Sequence, residues 1–206
     1  QTTADNCTWI GNDAGLVNTA SNNTGVGAGS LRANTTGTRN TAVGCGIYGA
    51  THGPLGSNTT GTRNTALGVL TLRSNTTASN NTAIGAEALA DNTTGTQNTA
   101  VGTYALDANT TANNNTALGF EALTANTTGA NNTALGSQAM EYNTEGNSNV
   151  AVGFLALYAN TSGSTNVAVG ENCAVSNTTG TDNTIVGSYA FYANTTGSDN
   201  CAFGAH

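Results

Sequence analysis

One short string of amino acids recurs along almost the whole chain at a fixed spacing. The string Asn-Thr-Ala-aliphatic-Gly, with close variants, returns every seventeen residues, and the only longer step is the twenty-four residues from Asn40 to Asn64. The asparagines that open the string are Asn23, Asn40, Asn64, Asn81, Asn98, Asn115, Asn132, Asn149, Asn166, Asn183 and Asn200. A fixed period of this kind is typical of a solenoid, in which each repeat forms one coil and stacks on the next.

The repeat is too short and too rich in turn-forming residues to be a pair of helices. Threonine and valine favour a half-buried sheet, whereas asparagine and glycine at fixed offsets favour corners. The sequence therefore predicts an all-β fold, a single parallel β-solenoid of about twelve 17-residue coils over residues 1–206 as one domain. Each coil is expected to hold two or three short strands, and strand spacing makes the body roughly 55 to 60 Å long. The seven extra residues of the longer step predict a loop within residues 45–57.

Comparing the coils shows which residue types each position of the repeat accepts. The aliphatic column, named for the residue before the glycine of the string, accepts only apolar side chains and is expected to point inward: Val26, Val43, Leu67, Ile84, Val101, Leu118, Leu135, Val152, Val169, Val186 and Phe203. The leucine column is expected to face it from another wall: Leu72, Leu89, Leu106, Leu123, Met140 and Leu157. Summed over many coils, two such columns would form a continuous core.

Asparagine fills two further columns without interruption. Side chains stacked this way can bond their own corner backbone and the amide of the next coil, which satisfies polar groups inside a corner. We predict a structural asparagine ladder that includes Asn40, Asn64, Asn81, Asn98, Asn115 and Asn132. The glycine that closes the string never gives way to another residue, which indicates positive φ or a close backbone approach.

The string also resembles repeats of known surface proteins. Asn-Thr-Ala-Val-Gly, and Asn-Val-Ala-Val-Gly at 149–153 and 166–170, are similar to the Ser-Val-Ala-Ile-Gly repeats of trimeric autotransporter adhesin heads. The fuller unit, N-T-A-L-G-x-x-A-L-x-x-N-T-T-G, resembles repeats of phage and algal-virus tail fibres. The resemblance implies a left-handed β-roll on a cell or virion surface. The present repeat is longer than that of the adhesin heads, and the sequence contains neither a coiled-coil stalk nor a membrane anchor.

The two ends of the repeat resemble each other and neither reads as a cap. Residues 1–7 (Q-T-T-A-D-N-C) mimic residues 194–201 (N-T-T-G-S-D-N-C). Uncapped solenoid ends present unpaired strand edges, and a head-to-tail contact between them propagates as a filament. We therefore predict a non-enzymatic structural subunit of an extracellular fibre, whose partner is another copy of the same chain.

Two sets of residues are predicted to meet at such a joint. Cys7 and Cys201 are assigned to one column, with a one-residue slip after Cys7, and an intermolecular disulfide between them is expected. The alternative is that they are two unrelated buried thiols. Asp5, Asp182 and Asp199 are assigned to another column, where they would bind calcium between subunits or, alternatively, stay solvated.

The sequence leaves other functions open. A receptor-binding adhesin, with a cell-surface or glycan partner, would use the loop containing Cys45, Tyr48, His52 and Pro54. An ice-binding solenoid is suggested by Thr-x-Thr pairs such as 36/38 and 94/96, although other coils interrupt the array. Numerous Asn-x-Ser/Thr sequons make attached glycans a further expectation.

Composition argues against several other classes. Charged residues make up 7% of the chain and the net charge is −7, which argues against a nucleic-acid partner. The sequence contains no apolar run of about eighteen residues, so no membrane insertion is expected. We find no metal-binding cysteine or histidine cluster, no cofactor fingerprint and no arrangement of catalytic residues.

Overall fold

The computed structural model describes residues 5–46 and 53–205. They contain twelve strands of three residues each, which form one parallel sheet whose strand order follows the chain. The strands are β1 (Thr8–Ile10), β2 (Thr24–Val26), β3 (Thr41–Val43), β4 (Thr65–Leu67), β5 (Thr82–Ile84), β6 (Thr99–Val101), β7 (Thr116–Leu118), β8 (Thr133–Leu135), β9 (Val150–Val152), β10 (Val167–Val169), β11 (Thr184–Val186) and β12 (Cys201–Phe203). The fold is a parallel β-solenoid of about eleven turns, which confirms the predicted fold class.

Each coil contains one strand rather than the two or three expected. Positions are numbered here from the asparagine before each strand, so that in the coil of β5 Asn81 is position 1 and Gln97 is position 17. Outside the strand, positions 7, 9 and 17 take left-handed backbone conformations, with φ of 55° at Glu87, 53° at Leu89 and 61° at Gln97. These bends prevent an extended strand. Hydrogen bonds still join the coils there, because Leu89 N–H donates to the carbonyl of Ala105 at 3.0 Å.

The core shows that the predicted orientation of the strands is wrong. Position 3, the alanine column, points inward and is fully buried from Ala42 to Ala168. The aliphatic column at position 4 therefore points outward, and Leu67 and Leu118 are 45% and 43% exposed. The reason is space, because a seventeen-residue coil encloses a narrow interior. A leucine from one wall leaves room only for small side chains on the others.

The leucine column lies inside, as predicted. Leu72, Leu89, Leu106, Leu123, Met140 and Leu157 are all fully buried at position 9. Each also has a positive φ, between 49° and 56°, which costs a side-chain-bearing residue about 1 to 2 kcal/mol. Burial of a leucine side chain contributes about 2 kcal/mol, so the core contact offsets the backbone strain.

The glycine column has a steric cause. Gly102 has a φ of 135°, and a Cβ built on it would lie 2.2 Å from the carbonyl oxygen of Gly119 in the next coil. Both the backbone conformation and the contact exclude any other residue.

The insertion enters the solenoid between positions 6 and 7. Gly46 N–H donates to the carbonyl of Ala28 at 3.2 Å, and the regular pattern has resumed at Pro54, whose carbonyl accepts from Leu31 N–H at 3.1 Å. Pro54 occupies position 8 and is buried, so it is not available as the surface contact that the sequence suggested. Cys45 is exposed. Tyr48 and His52 lie outside the described residues.

Candidate assembly surfaces

A first asparagine ladder runs through position 1 of every coil from Asn23 onward. The Oδ1 of Asn40 accepts the backbone N–H of Asn64 at 2.9 Å, and the Nδ2 of Asn40 donates to the carbonyl of Gly61 at 2.8 Å. The same two bonds recur at Asn64, Asn81, Asn98, Asn115 and Asn132. Because these side chains are buried, every bond satisfies a backbone group that water cannot reach.

Two more ladders run beside the first. At position 12 each asparagine donates from Nδ2 to the Oδ1 of its counterpart in the preceding coil, as Asn75 does to Asn58 at 2.8 Å. At position 13 each threonine hydroxyl donates to the backbone carbonyl of its counterpart in the next coil, as Thr93 does to Thr110 at 3.0 Å. This threonine ladder was not predicted, although threonine never varies at that position from Thr19 to Thr195.

The first coil has a register that differs from the sequence assignment. Thr8 pairs with Thr24, so the coil is sixteen residues long and Cys7 takes position 1. Its Sγ accepts the N–H of Asn23 at 3.4 Å, as an asparagine Oδ1 does elsewhere in the ladder. Cys201 pairs with Thr184 and is at position 2. The shared column proposed for the two cysteines is therefore wrong, and their side chains leave a stacked sheet on opposite faces, which removes the geometric basis for a disulfide.

The same shift separates Asp5 from the other two aspartates. The carbonyl of Asp5 accepts from Asn22 N–H at 3.0 Å, whereas Asp199 is itself the donor in the equivalent bond, to Thr181. Asp5 is thus at position 16, and Asp182 and Asp199 are at position 17. The expected column of three carboxylates is wrong, and the described residues contain no group of three or more acidic, cysteine or histidine side chains that could hold a metal ion.

At the N-terminal end of the solenoid an indole takes the place of alanine. Trp9 is at position 3 and packs against the core. Space for it comes from two glycines, since a Cβ on Gly25 would lie 2.7 Å from the indole ring and one on Gly15 would lie 2.6 Å from it. In the first described coil the inner column thus presents a large aromatic surface, which was not predicted from the sequence.

The C-terminal end is concave and aromatic. Phe191, at position 9, packs partly against the core beneath Ala202. Together with neighbouring side chains they line an open depression of about 840 Å³: Tyr189, Phe191, Tyr192, Ala193, Asn194 and Ala202. In the coil below, position 9 is Ala174 rather than leucine, so a small residue again accompanies the large terminal aromatic.

The open strand edges at the two ends are complementary. Between coils, position 2 donates its N–H to the carbonyl of position 1 in the next coil, and position 5 donates to position 4 in the preceding coil, as Thr184 to Asn200 and Gly204 to Val186 show. By the same pattern, the N–H of Cys201 and the carbonyl of Phe203 on β12 have no partner among the described residues. Within residues 5–46 and 53–205 the carbonyl of Cys7 and the N–H of Gly11, beside β1, also have none.

Charged side chains cluster in the middle coils. Arg73 contacts Glu87 at 2.9 Å and Asp91 at 2.8 Å. Burial, followed by the charge of Asp91, raises the pKa of the nearby Asp107 to about 6, and its Oδ1 is buried with no hydrogen-bond partner.

A hydrogen bond with Tyr142 raises the pKa of Tyr158 to about 12, and the two rings meet edge to face with centroids 4.9 Å apart.

The remaining sequence-derived sites lie on the corners. In the Thr-x-Thr pairs 36/38 and 94/96 the first threonine is exposed and the second is half-buried, and neither pair lies on a strand. Sequon asparagines of the second ladder are buried with both polar atoms bonded, apart from the partly buried Asn194. The exposed sequon asparagines are at position 17: Asn6, Asn22, Asn80, Asn114 and Asn131.

The fold and these surfaces define the class of the protein as a parallel β-solenoid held by side-chain ladders. Comparison with protein-family models, curated proteins and solved structures finds no match for this chain. The described residues include no helix that is long and apolar enough to cross a membrane.

Proposed function

We propose that the chain is a structural subunit of an extracellular fibre, in which copies stack head to tail through β12 of one and β1 of the next. The observation that carries the proposal is the complementarity of the two open edges. Stacking in the native register would let Cys201 N–H donate to the carbonyl of Cys7 and Gly11 N–H donate to the carbonyl of Phe203. The Oδ1 of Asn200 would accept the N–H of Cys7, which continues the first asparagine ladder.

The side chains at the two ends support the same joint. In this register Trp9 lies over Ala202, so a large residue faces a small one in the alanine column. Phe191 belongs to the coil of β11, one coil further down, and therefore lies about 10 Å below Gly15 of the next copy rather than against it. Burying the remaining exposed surface of one aromatic side chain contributes about 2 kcal/mol, and association costs at least about 4 kcal/mol in lost freedom of motion. The aromatic contact is needed in addition to the hydrogen bonds.

Charge and symmetry favour an open filament. The contact joins two different surfaces, so a stack does not close on itself. All four arginines lie in the coils of β2 to β4 and nine of the eleven acidic residues lie from Glu87 onward, a polarity that favours attraction between opposite ends. In the stacked register Asp199 meets Asn6 rather than Asp5, so no like charges align at the joint.

The test removes one edge donor. Alternate residues of a parallel strand direct their N–H groups to the same neighbouring strand, so position 4 faces the next copy as position 2 does. Phe203→Pro removes that N–H, and proline blocks edge pairing. Phe203→Ala keeps that N–H and is the matched control. Negative-stain microscopy and light scattering are expected to show long unbranched filaments for the wild type and the control, and single subunits for the proline variant. Unchanged filaments in the proline variant, or compact wild-type trimers of the kind expected for a receptor-binding adhesin, would contradict the proposal.

A further inference from the structure

The outer face of the sheet is a continuous uncharged surface. Position 2 presents threonine from β1 to β8, and position 4 presents an aliphatic or aromatic side chain in every strand. Neither column contains a charged residue. Between the two end strands, the exposed fraction of the position-4 residue reaches 45% at Leu67 and 43% at Leu118, and the valines at this position are half-buried. Soluble chains rarely leave a contiguous apolar surface of this size uncovered unless it binds something.

We infer that this outer face is a lateral interface with a second copy of the same chain, the two sheets packing face to face. Position 4 accepts valine, leucine, isoleucine and phenylalanine, and alanine never occurs there. A position that needed only to tolerate water would admit polar and charged residues, as the exposed corner position 14 does with its threonines and Glu145. The lack of charge excludes recognition by ion pairs and favours an apolar partner surface, which the same face of another copy supplies.

The size of the face determines how the pairing behaves. Strands about 4.8 Å apart and a width of three residues, about 10 Å, give roughly 500 Å² per copy. A pair covers about 1,000 Å² in total, which is the lower limit for a specific interface. Two single subunits should therefore pair weakly. If the head-to-tail fibre proposed above forms, the contact repeats along its length, and side-by-side pairing becomes strong.

The test places charge on the face and, as a control, on another wall of the same coils. Leu67→Lys with Ile84→Lys introduces two lysines at position 4 of neighbouring strands. Thr77→Lys with Thr94→Lys introduces two lysines at the exposed position 14 of the same two coils. Circular dichroism melting first establishes that both variants fold as the wild type does.

The readout is lateral mass, measured as filament width by negative-stain microscopy and as subunit association by sedimentation velocity from about 1 to 100 μM, the range in which weak interfaces associate. Wild type and the threonine variant are expected to show paired filaments or concentration-dependent dimers, and the Leu67/Ile84 variant is expected to lose the pairing at least tenfold in apparent affinity. The two proposals can be distinguished, because dimers without filaments would contradict only the head-to-tail fibre and would leave the lateral interface standing. Single-width wild-type filaments, a monomer throughout, or a wild-type thermal hysteresis that the Leu67/Ile84 variant loses would overturn the lateral interface.

Discussion

The two faces of the same strands make different demands on their side chains. The inward alanine column holds alanine in every strand from β3 to β10, whereas the outward aliphatic column varies between valine, leucine, isoleucine and phenylalanine. Both are apolar, yet only the inner column has a fixed size. Close packing explains the difference, since an interior filled to crystal density is sensitive to a single methylene group. Uniformity of volume, rather than hydrophobicity, marks the interior of this narrow solenoid.

The largest expected effect is that of enlarging a residue in the inner alanine column, compared with the same change in the outer aliphatic column. Ala100→Leu adds three carbons to the closed interior beside Leu106, and we expect it to destabilise the fold by at least about 3 kcal/mol through overpacking. Val101→Leu adds one carbon on the outer face of the same strand and should change stability by less than about 0.5 kcal/mol. Urea unfolding followed by circular dichroism measures both. Equal effects of the two substitutions would mean that the strand is not oriented as described.

This comparison also shows where sequence reasoning succeeded. The repeat, its parallel stacking and the inward leucine column follow from period and composition, because coils of equal length must superpose equivalent residues. Alternation along a strand shows that Ala100 and Val101 face opposite ways, but it does not show which way is inward. Hydrophobicity favoured Val101, and the invariance of the alanine column was the signal that could have corrected the assignment.

The error at the first coil has a different cause. The first coil has no residue at position 14. Thr19 is at position 13, and Ala20, whose carbonyl accepts from the Nδ2 of Asn18, is at position 15, so the strand register shifts by one residue. Matching Asn6 to the ladder kept the seventeen-residue count but ignored Thr8 and Gly11, whose spacing to Thr24 and Gly27 is sixteen. A local shift of one residue reverses the face on which a side chain lies. This shift is the reason that the predicted columns of Cys7 and Asp5 are both wrong.

A buried ladder residue should matter more than an exposed polar residue in the neighbouring coil. Asn98→Ala leaves the buried N–H of Asn115 without a partner, and the carbonyl of Ala112 keeps only the bond from the Nδ2 of Asn109. We expect a loss of about 2 kcal/mol in the free energy of unfolding, since an unsatisfied buried donor costs about 1 to 3 kcal/mol. Thr94→Ala, on an exposed corner, should cost less than about 0.5 kcal/mol. A cost below 1 kcal/mol for Asn98→Ala in urea unfolding would show that water enters the ladder.

The N-terminal coil sharpens the comparison because there the inner column departs from alanine. Trp9→Ala should destabilise by about 2 kcal/mol through the space left at Gly25 and Gly15, and Gly25→Ala alone should also destabilise because its Cβ would meet the indole at 2.7 Å. The double variant restores the ordinary alanine pair of the other coils. The free energy of unfolding that the double variant loses should be at least about 1 kcal/mol smaller than the sum of the losses in the two single variants. Simple additivity in thermal unfolding would indicate that the indole does not pack on Gly25.

The smallest effect concerns Asp107, whose side chain lies between the buried interior and the exposed surface. Burial raises the pKa of Asp107 in the folded state to about 6, against 3.8 for the free group. The folded state therefore binds the proton more tightly, so its stability should increase as pH falls from 7 through 6, and the gain should be complete below about 4. Asp107→Asn should raise stability at pH 7 by about 1 kcal/mol, after allowance for solvent screening of a half-exposed group, and should have little effect at pH 4. Asp91→Asn, which loses a contact with Arg73, should not stabilise at pH 7 to the same degree. Melting temperatures of the three proteins at both pH values provide the measurement, and an Asp107→Asn gain that persists at pH 4 would assign the effect to the amide rather than to the charge.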